Sequence, residues 1–201
     1  MQTWLRSIIC IAFISFGGCT DVQKPTVQKA PEGTPVRVLS FVGESIFIGS
    51  GSFVLVSEMP FFVTAYHVVD GGDRFVLQTY AEDVIPVELI RFYSNKDADV
   101  TVFRVNSIPE GIVPYAPKFH TLSGKASLYG FPSGRLVTVD TEIAANALLM
   151  HEDCQLGMSG GPACYDGFQI GFVHASQSDG KSVVIMLQKE WFISQRLNPD
   201  H

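Results

Sequence analysis

The sequence predicts an all-β protein, built as a sandwich or as barrels. Short segments rich in Val, Ile, Phe and Thr alternate with Gly, Asp, Ser and Pro, the residues that favour turns. These segments recur roughly every ten residues, as strands do in all-β folds. They cover residues 36–42, 52–56, 61–65, 74–80, 84–92, 100–105, 126–131, 135–143, 168–175 and 182–187.

Composition limits the class of protein further. The chain has 201 residues, of which 46% are hydrophobic and 17% charged, and this is enough apolar material for a packed core. The length suits one domain or two half-size barrels. The formal net charge of −6 argues against nucleic acid as a partner, because phosphate binding needs a basic surface.

The N-terminus carries the pattern of an export signal. Arg6 precedes an apolar run over residues 7–16, which is shorter than the ~20 residues of a membrane-spanning helix. The Gly17-Gly18-Cys19 ending resembles a bacterial lipoprotein cleavage site, which implies lipidation of Cys19. We therefore expect residues 1–19 to be a lipoprotein signal peptide and the mature chain to be anchored on the periplasmic side of a bacterial membrane. An ordinary cleaved signal, giving a soluble secreted or periplasmic protein, and an uncleaved anchor are the alternatives.

Two segments without strand periodicity divide the rest of the chain. Residues 20–35 are polar, contain three prolines and predict a flexible tether. Residues 107–120 contain three prolines and predict the connection between two halves. One short helix is predicted at 189–197, where Trp191, Phe192 and Ile193 lie opposite polar residues.

Three motifs carry candidate chemistry. An apolar strand runs into His67 in the segment Thr64-Ala65-Tyr66-His67, Asp99 opens another apolar strand, and Ser159 lies within Gly157-Met158-Ser159-Gly160-Gly161-Pro162. A serine hydroxyl is a poor nucleophile at neutral pH and needs an adjacent base. A histidine can be that base, and a carboxylate can orient the histidine.

Together the motifs resemble the trypsin/chymotrypsin family of serine proteases, in the order His, Asp, Ser. Three further segments resemble the family: 49–53 (GSGSF), 130–132 (GFP) and 171–173 (GFV). The resemblance implies two six-stranded antiparallel β-barrels, at 36–115 and 116–201, with a short C-terminal helix. It also implies an endopeptidase that acts on protein or peptide substrates, without metal or cofactor. The catalytic residues would be His67, Asp99 and Ser159, and the N–H groups of Gly157 and Ser159 would form the oxyanion hole.

Several alternatives stay open beside this interpretation. Asp97 lies two residues before Asp99 and competes with it as the carboxylate, although the family pattern favours Asp99. The chain could be a catalytically silent binding module on the same fold, or a structural surface lipoprotein. Met158 stands where digestive members carry Asp, so we expect no activation by insertion of a new N-terminus. We also expect no PDZ domain after the protease fold.

Substrate specificity follows from the sequence less directly. The resemblance implies that Asp153 lies near the base of the primary pocket, which would favour basic substrate residues. Val173 belongs to the strand that would bind the substrate backbone, and His174 would lie near the pocket wall, as in relatives that prefer Glu or Gln. Small or apolar residues are the third alternative.

The cysteines predict a disulfide. Cys10 lies in the signal peptide and Cys19 is the lipidation candidate, which leaves Cys154 and Cys164. Both lie five residues from Ser159, on opposite sides, and export permits a bridge between them. Two buried thiols are the alternative.

Overall fold

The computed structural model describes residues 33–119, 124–143, 154–175 and 182–193. The predicted signal peptide, Cys19 and almost all of the predicted tether lie outside these residues, as does Asp153. No helix in the described ranges has the length and apolar character needed to cross a membrane.

Extended segments dominate the described residues. The strands are β1 (Pro35–Val42), β2 (Ser45–Val56), β3 (Met59–Ala65), β4 (Arg74–Gln78), β5 (Ile90–Asn95), β6 (Val100–Arg104), β7 (Ala116–Pro117), β8 (Gly124–Gly130), β9 (Val137–Ile143), β10 (Pro162–Tyr165), β11 (Phe168–Ala175) and β12 (Ser182–Met186). Helical structure within the described ranges consists of α1 (Tyr66–Val69) and two 3₁₀ helices, Pro132–Gly134 and Lys189–Phe192.

The strands form two six-stranded sheets. The first has the order β4-β1-β2-β3-β6-β5, and the second has the order β12-β11-β10-β8-β9, with β7 paired to β11. Neighbouring strands are antiparallel, except that β7 runs parallel to β11. The predicted all-β class, with two six-stranded sheets and little helix, is confirmed.

Local chemistry explains where the strands differ from the prediction. The predicted strand at 84–92 is regular only from Ile90, and Val84 makes a single bridge to Gln78. Pro86 lies between them, and proline has no N–H to donate to a sheet. In the predicted helix at 189–197, the described part is a 3₁₀ turn over Lys189–Phe192, and residues 194–197 lie outside the described ranges.

The buried apolar side chains form two clusters. The larger one joins side chains of both sheets: Phe61 of β3 packs on Phe192, and Phe172 of β11 packs on Trp191. The smaller one lies within the second sheet, around Met158. Because the larger core crosses between the sheets, it fixes how the strand ends of one sheet face those of the other.

Candidate active site

His67 is held by a buried helical turn at the end of β3. The chain leaves β3 at Ala65 and turns into α1, whose Val68 and Val69 are buried while the His67 side chain is 43% exposed. Val68 packs against Gly49 of β2, where an added Cβ would approach Val68 Cγ1 to 2.4 Å. The absence of a side chain at Gly49 therefore lets α1 settle on the first sheet and present His67 to solvent.

Asp99 occupies the tight turn before β6 and is aimed at His67. Its backbone has φ +48°, a left-handed conformation that Asp tolerates better than most residues, and its carbonyl accepts a hydrogen bond from Tyr66 N–H at 3.0 Å. The His67 N–H donates to Asp99 Oδ1 at 2.9 Å. His67 Nδ1 lies 2.8 Å from Oδ2 and 3.0 Å from Oδ1. These contacts involve Asp99, while Asp97 is exposed on the same turn.

The environment of Asp99 keeps its carboxylate charged. Burial acts to raise the pKa of Asp99, but hydrogen bonds from His174 and His67 outweigh this effect and hold the pKa well below its usual range. The carboxylate is therefore ionised throughout the neutral pH range. An ionised carboxylate only accepts hydrogen bonds, so the Nδ1 atom of His67 must carry the proton. In neutral His67 this leaves Nε2 unprotonated and able to act as a base.

Ser159 lies on a glycine turn pressed between the two sheets. Gly157 has φ +95° and Gly160 has φ +83°, conformations that side chains disfavour. At Gly160 an added Cβ would also meet Ser50 O at 2.2 Å and Thr64 Oγ1 at 2.4 Å. The glycines therefore allow the turn to lie directly against β2 and β3 of the first sheet.

Hydrogen bonds to both sheets hold this turn. Ser50 of β2 donates its N–H to Ser159 O at 2.7 Å and its hydroxyl to Gly157 O at 2.6 Å. On the other side, the Gly160 N–H donates to Val173 O at 2.7 Å, and the Val173 N–H donates to Gly161 O at 2.8 Å. The position of Ser159 is thus determined by strands from both halves of the chain.

His67, Asp99 and Ser159 open onto one cavity of about 810 Å³. Gly157 and His174 also line it, together with four exposed apolar side chains: Ile46, Phe47, Ile48 and Leu156. A cavity of this size accepts several residues of an extended peptide or a small organic molecule.

Comparison of the fold with solved structures finds serine proteases. The active form of the Rv3671c protease from M. tuberculosis matches with a TM-score of 0.61 at 19% identity, over 78% of this chain and 77% of that chain. The serine endoprotease from Yersinia pestis matches with a TM-score of 0.61 at 16% identity, over 78% and 59% of the two chains. The HtrA-type protease AlgW, solved with a tripeptide, gives 0.60 at 16% identity, over 76% and 56%. The chain has the trypsin-like protease fold.

Two comparisons of the amino-acid sequence with known proteins find no match. No protein-family model matches the chain, and no curated protein matches it. At 16–19% identity, the structural matches establish the trypsin-like fold alone.

Within the trypsin-like fold, His174 lines the cavity and also makes a contact that the sequence did not predict. Its Nδ1 atom is 2.5 Å from Asp99 Oδ2, and its ring stands edge-on to that of His67, with 5.2 Å between centroids. His174 thus lies directly beside the Asp99 carboxylate. Three potential metal ligands, one each from His67, Asp99 and His174, lie within 4.8 Å of one another, which is close enough for a divalent cation. In this structure the same three side chains are joined by hydrogen bonds.

The predicted substrate contacts of Val173 and Asp153 stay predictions. The Val173 side chain is fully buried, and both its backbone groups bond to the Ser159 turn. Asp153 lies outside the described residues, and the preference for basic, acidic, amide or apolar substrate residues stays a prediction.

The structure has no disulfide between Cys154 and Cys164, which corrects the prediction of one. Cys164 lies on β10 and its side chain belongs to the core shared by the two sheets. Cys154 packs against the other cluster, around Met158. Among the described residues before Ser159, 154–158 do not pair with β10, whose neighbours are β8 and β11. Burial raises the pKa of Cys164 to about 12, which keeps this thiol protonated and unreactive.

Proposed function

We propose that this chain is a serine endopeptidase that cleaves peptide bonds through an acyl-enzyme. The observation that carries the proposal is the pairing of His67 with an ionised Asp99 in the same cavity as Ser159, which lies on a tightly held glycine turn. The trypsin-like fold supports this assignment. In the proposed site the orienting carboxylate and the base come from the first sheet, and the nucleophile comes from the second.

In this mechanism Ser159, His67 and Asp99 have distinct roles. Ser159 Oγ attacks the substrate carbonyl carbon while its proton passes to His67 Nε2. Asp99 holds His67 in the tautomer with Nδ1 protonated and stabilises the imidazolium that forms. His67 then gives the proton to the leaving amine, and the acyl group stays on Ser159 as an ester. Water, activated in the same way by His67, releases the acid and restores the hydroxyl.

The oxyanion that forms in each half-reaction needs donors. We assign this role to the N–H groups of Gly157 and Ser159, on the strength of the family resemblance and because both residues line the cavity. Loss of one such donor typically costs about 3 kcal/mol of transition-state stabilisation.

Covalent labelling tests the nucleophile. A fluorophosphonate reacts only with a serine that is activated, so the full-length protein is expected to gain one phosphonyl adduct on Ser159, and Ser159→Ala is expected to gain none. Ser50→Ala is an unsuitable control, because the Ser50 hydroxyl supports the turn that carries Ser159. Ser133 lies in a 3₁₀ turn at the edge of the cavity, and Ser133→Ala retains Ser159, so this variant is expected to label. A wild-type protein that folds but does not label would instead favour the silent binding module.

We further propose, from the sequence alone, that the enzyme is exported and lipid-anchored through Cys19. Lipoprotein modification adds several acyl chains, and stable anchoring needs more than one. Cys19→Ala is expected to move the protein from the membrane to the soluble fraction or to block its processing. A mature wild-type protein whose intact mass shows a first residue other than Cys19, or no lipid, would contradict this proposal.

A further inference from the structure

We propose that His174 is a positioning residue of the triad, which fixes the Asp99 carboxylate in the orientation that His67 needs. This inference rests on the proposed function for its catalytic consequence, although its geometric part can be tested without activity. It assigns His174 a role different from the substrate contact that the sequence suggested.

The hydrogen bonds around Asp99 provide the first argument. Oδ1 accepts the His67 N–H at 2.9 Å, and Oδ2 accepts from both His67 Nδ1, at 2.8 Å, and His174 Nδ1, at 2.5 Å. Without His174, every hydrogen bond described for this carboxylate would come from His67. The carboxylate and the imidazole could then shift together. His174 adds a donor from a different element, so rotation of the carboxylate group breaks a contact that does not move with His67.

The strand that carries His174 provides the second argument. His174 lies on β11, where it pairs with Val183 of β12. The preceding residue, Val173, accepts from Gly160 N–H and donates to Gly161 O. Two consecutive residues of one strand therefore hold the Ser159 turn and the Asp99 carboxylate. This couples the nucleophile, from the second sheet, to the His67–Asp99 pair, from the first.

The protonation states required by these contacts are consistent with catalysis. A carboxylate is an acceptor only, so both Nδ1 atoms must carry protons. His67 is thereby held with Nε2 free to take the Ser159 proton. His174 need not exchange a proton during the reaction, because its contact with Asp99 is the same whether His67 is neutral or charged. Its effect is expected on the rate of the chemical step more than on substrate binding.

Three substitutions at His174 separate positioning from substrate contact. His174→Ala removes the donor and is expected to lower kcat by roughly 10- to 100-fold, with KM changed by less than about threefold, the effect of losing a hydrogen bond to a charged group. His174→Asn places an amide N–H near the position of Nδ1, and is expected to recover kcat to within about fivefold of wild type. His174→Gln places its amide near Nε2 instead, away from Asp99, and is expected to resemble His174→Ala.

Two outcomes of these kinetics overturn the proposal. If KM rises while kcat is unchanged, His174 contacts substrate and does not position the triad. If the Asn and Gln variants are equally impaired, the location of the donor does not matter. Because His174→Ala could be poorly folded, circular dichroism is measured for all three variants, and the comparison of Asn with Gln decides the question.

A spectroscopic measurement separates this proposal from the proposed function. In the Ser159→Ala protein, which needs no activity, the proton between His67 Nδ1 and Asp99 is expected to give a far-downfield ¹H signal, assigned by its loss in Ser159→Ala/His67→Gln. Adding His174→Ala is expected to shift or broaden this signal, and adding His174→Asn to restore it. If the signal responds in this way but the wild type neither labels nor cleaves, the positioning holds and the proposed function fails. If the wild type is active and the signal does not change when His174→Ala is added, the positioning proposal fails.

Discussion

Replacing Asp99 with Asn is expected to lower kcat/KM for peptide cleavage about 10⁴-fold while leaving the fold intact. The amide keeps the size of the carboxylate, and Asn tolerates the left-handed conformation of this turn, φ +48°, as readily as Asp. The amide cannot supply the negative charge, and it can donate to His67 Nδ1. His67 would then carry its proton on Nε2, where it can no longer accept the proton of Ser159. The measurement is steady-state cleavage of a peptide substrate, with thermal unfolding to check the fold.

Asp97→Asn is the matched control for this experiment. Asp97 is exposed on the same turn and lines the same cavity, but the hydrogen bonds to His67 come to Asp99. A surface substitution of this kind typically changes free energies by less than about 0.5 kcal/mol, so cleavage should stay within about threefold of wild type. Equal losses in the two variants would mean that the charge of the turn, and not the Asp99–His67 pair, controls the rate.

Replacing Gly160 with Ala is expected to lower the free energy of unfolding by roughly 2–6 kcal/mol. One part of this cost is the left-handed backbone, φ +83°, and the other is overlap with the first sheet, since the new Cβ would lie 2.2 Å from Ser50 O and 2.8 Å from Ala65 N. Both close atoms belong to the backbone of paired strands and cannot move aside cheaply. Urea denaturation followed by circular dichroism gives the value.

Gly43→Ala isolates the backbone contribution. Gly43 also has a positive φ, +57°, but an added Cβ would have no atom within 4 Å. Its loss is therefore expected to stay near 1–2 kcal/mol, the cost of the left-handed conformation alone. If both variants lose the same amount, the Ser159 turn is not pressed against the first sheet as described.

Much of the fold follows from residues that are close in sequence. Alternating and apolar β-branched segments, separated by turn residues, predicted the strands. The predicted strand at 84–92 is interrupted by Pro86 and is regular only from Ile90. The sequence did not predict β10, because this four-residue strand, Pro162–Tyr165, follows a glycine turn and has no alternation to mark it. Its pairing with β8 and β11 depends on segments far away in the chain.

The sequence by itself determined the candidate chemistry of this protein. His67, Asp99 and Ser159 lie within motifs whose meaning depends on their immediate neighbours, such as the glycines around Ser159, so they could be selected without coordinates. Only the tertiary structure decided which atoms meet. His174 lies 75 residues from Asp99, and Cys154 and Cys164 pack in different cores, because the docking of the two sheets sets these contacts. The docking of the two sheets depends on the packing of whole surfaces, so the residues next to His174 and the cysteines in the sequence do not predict it.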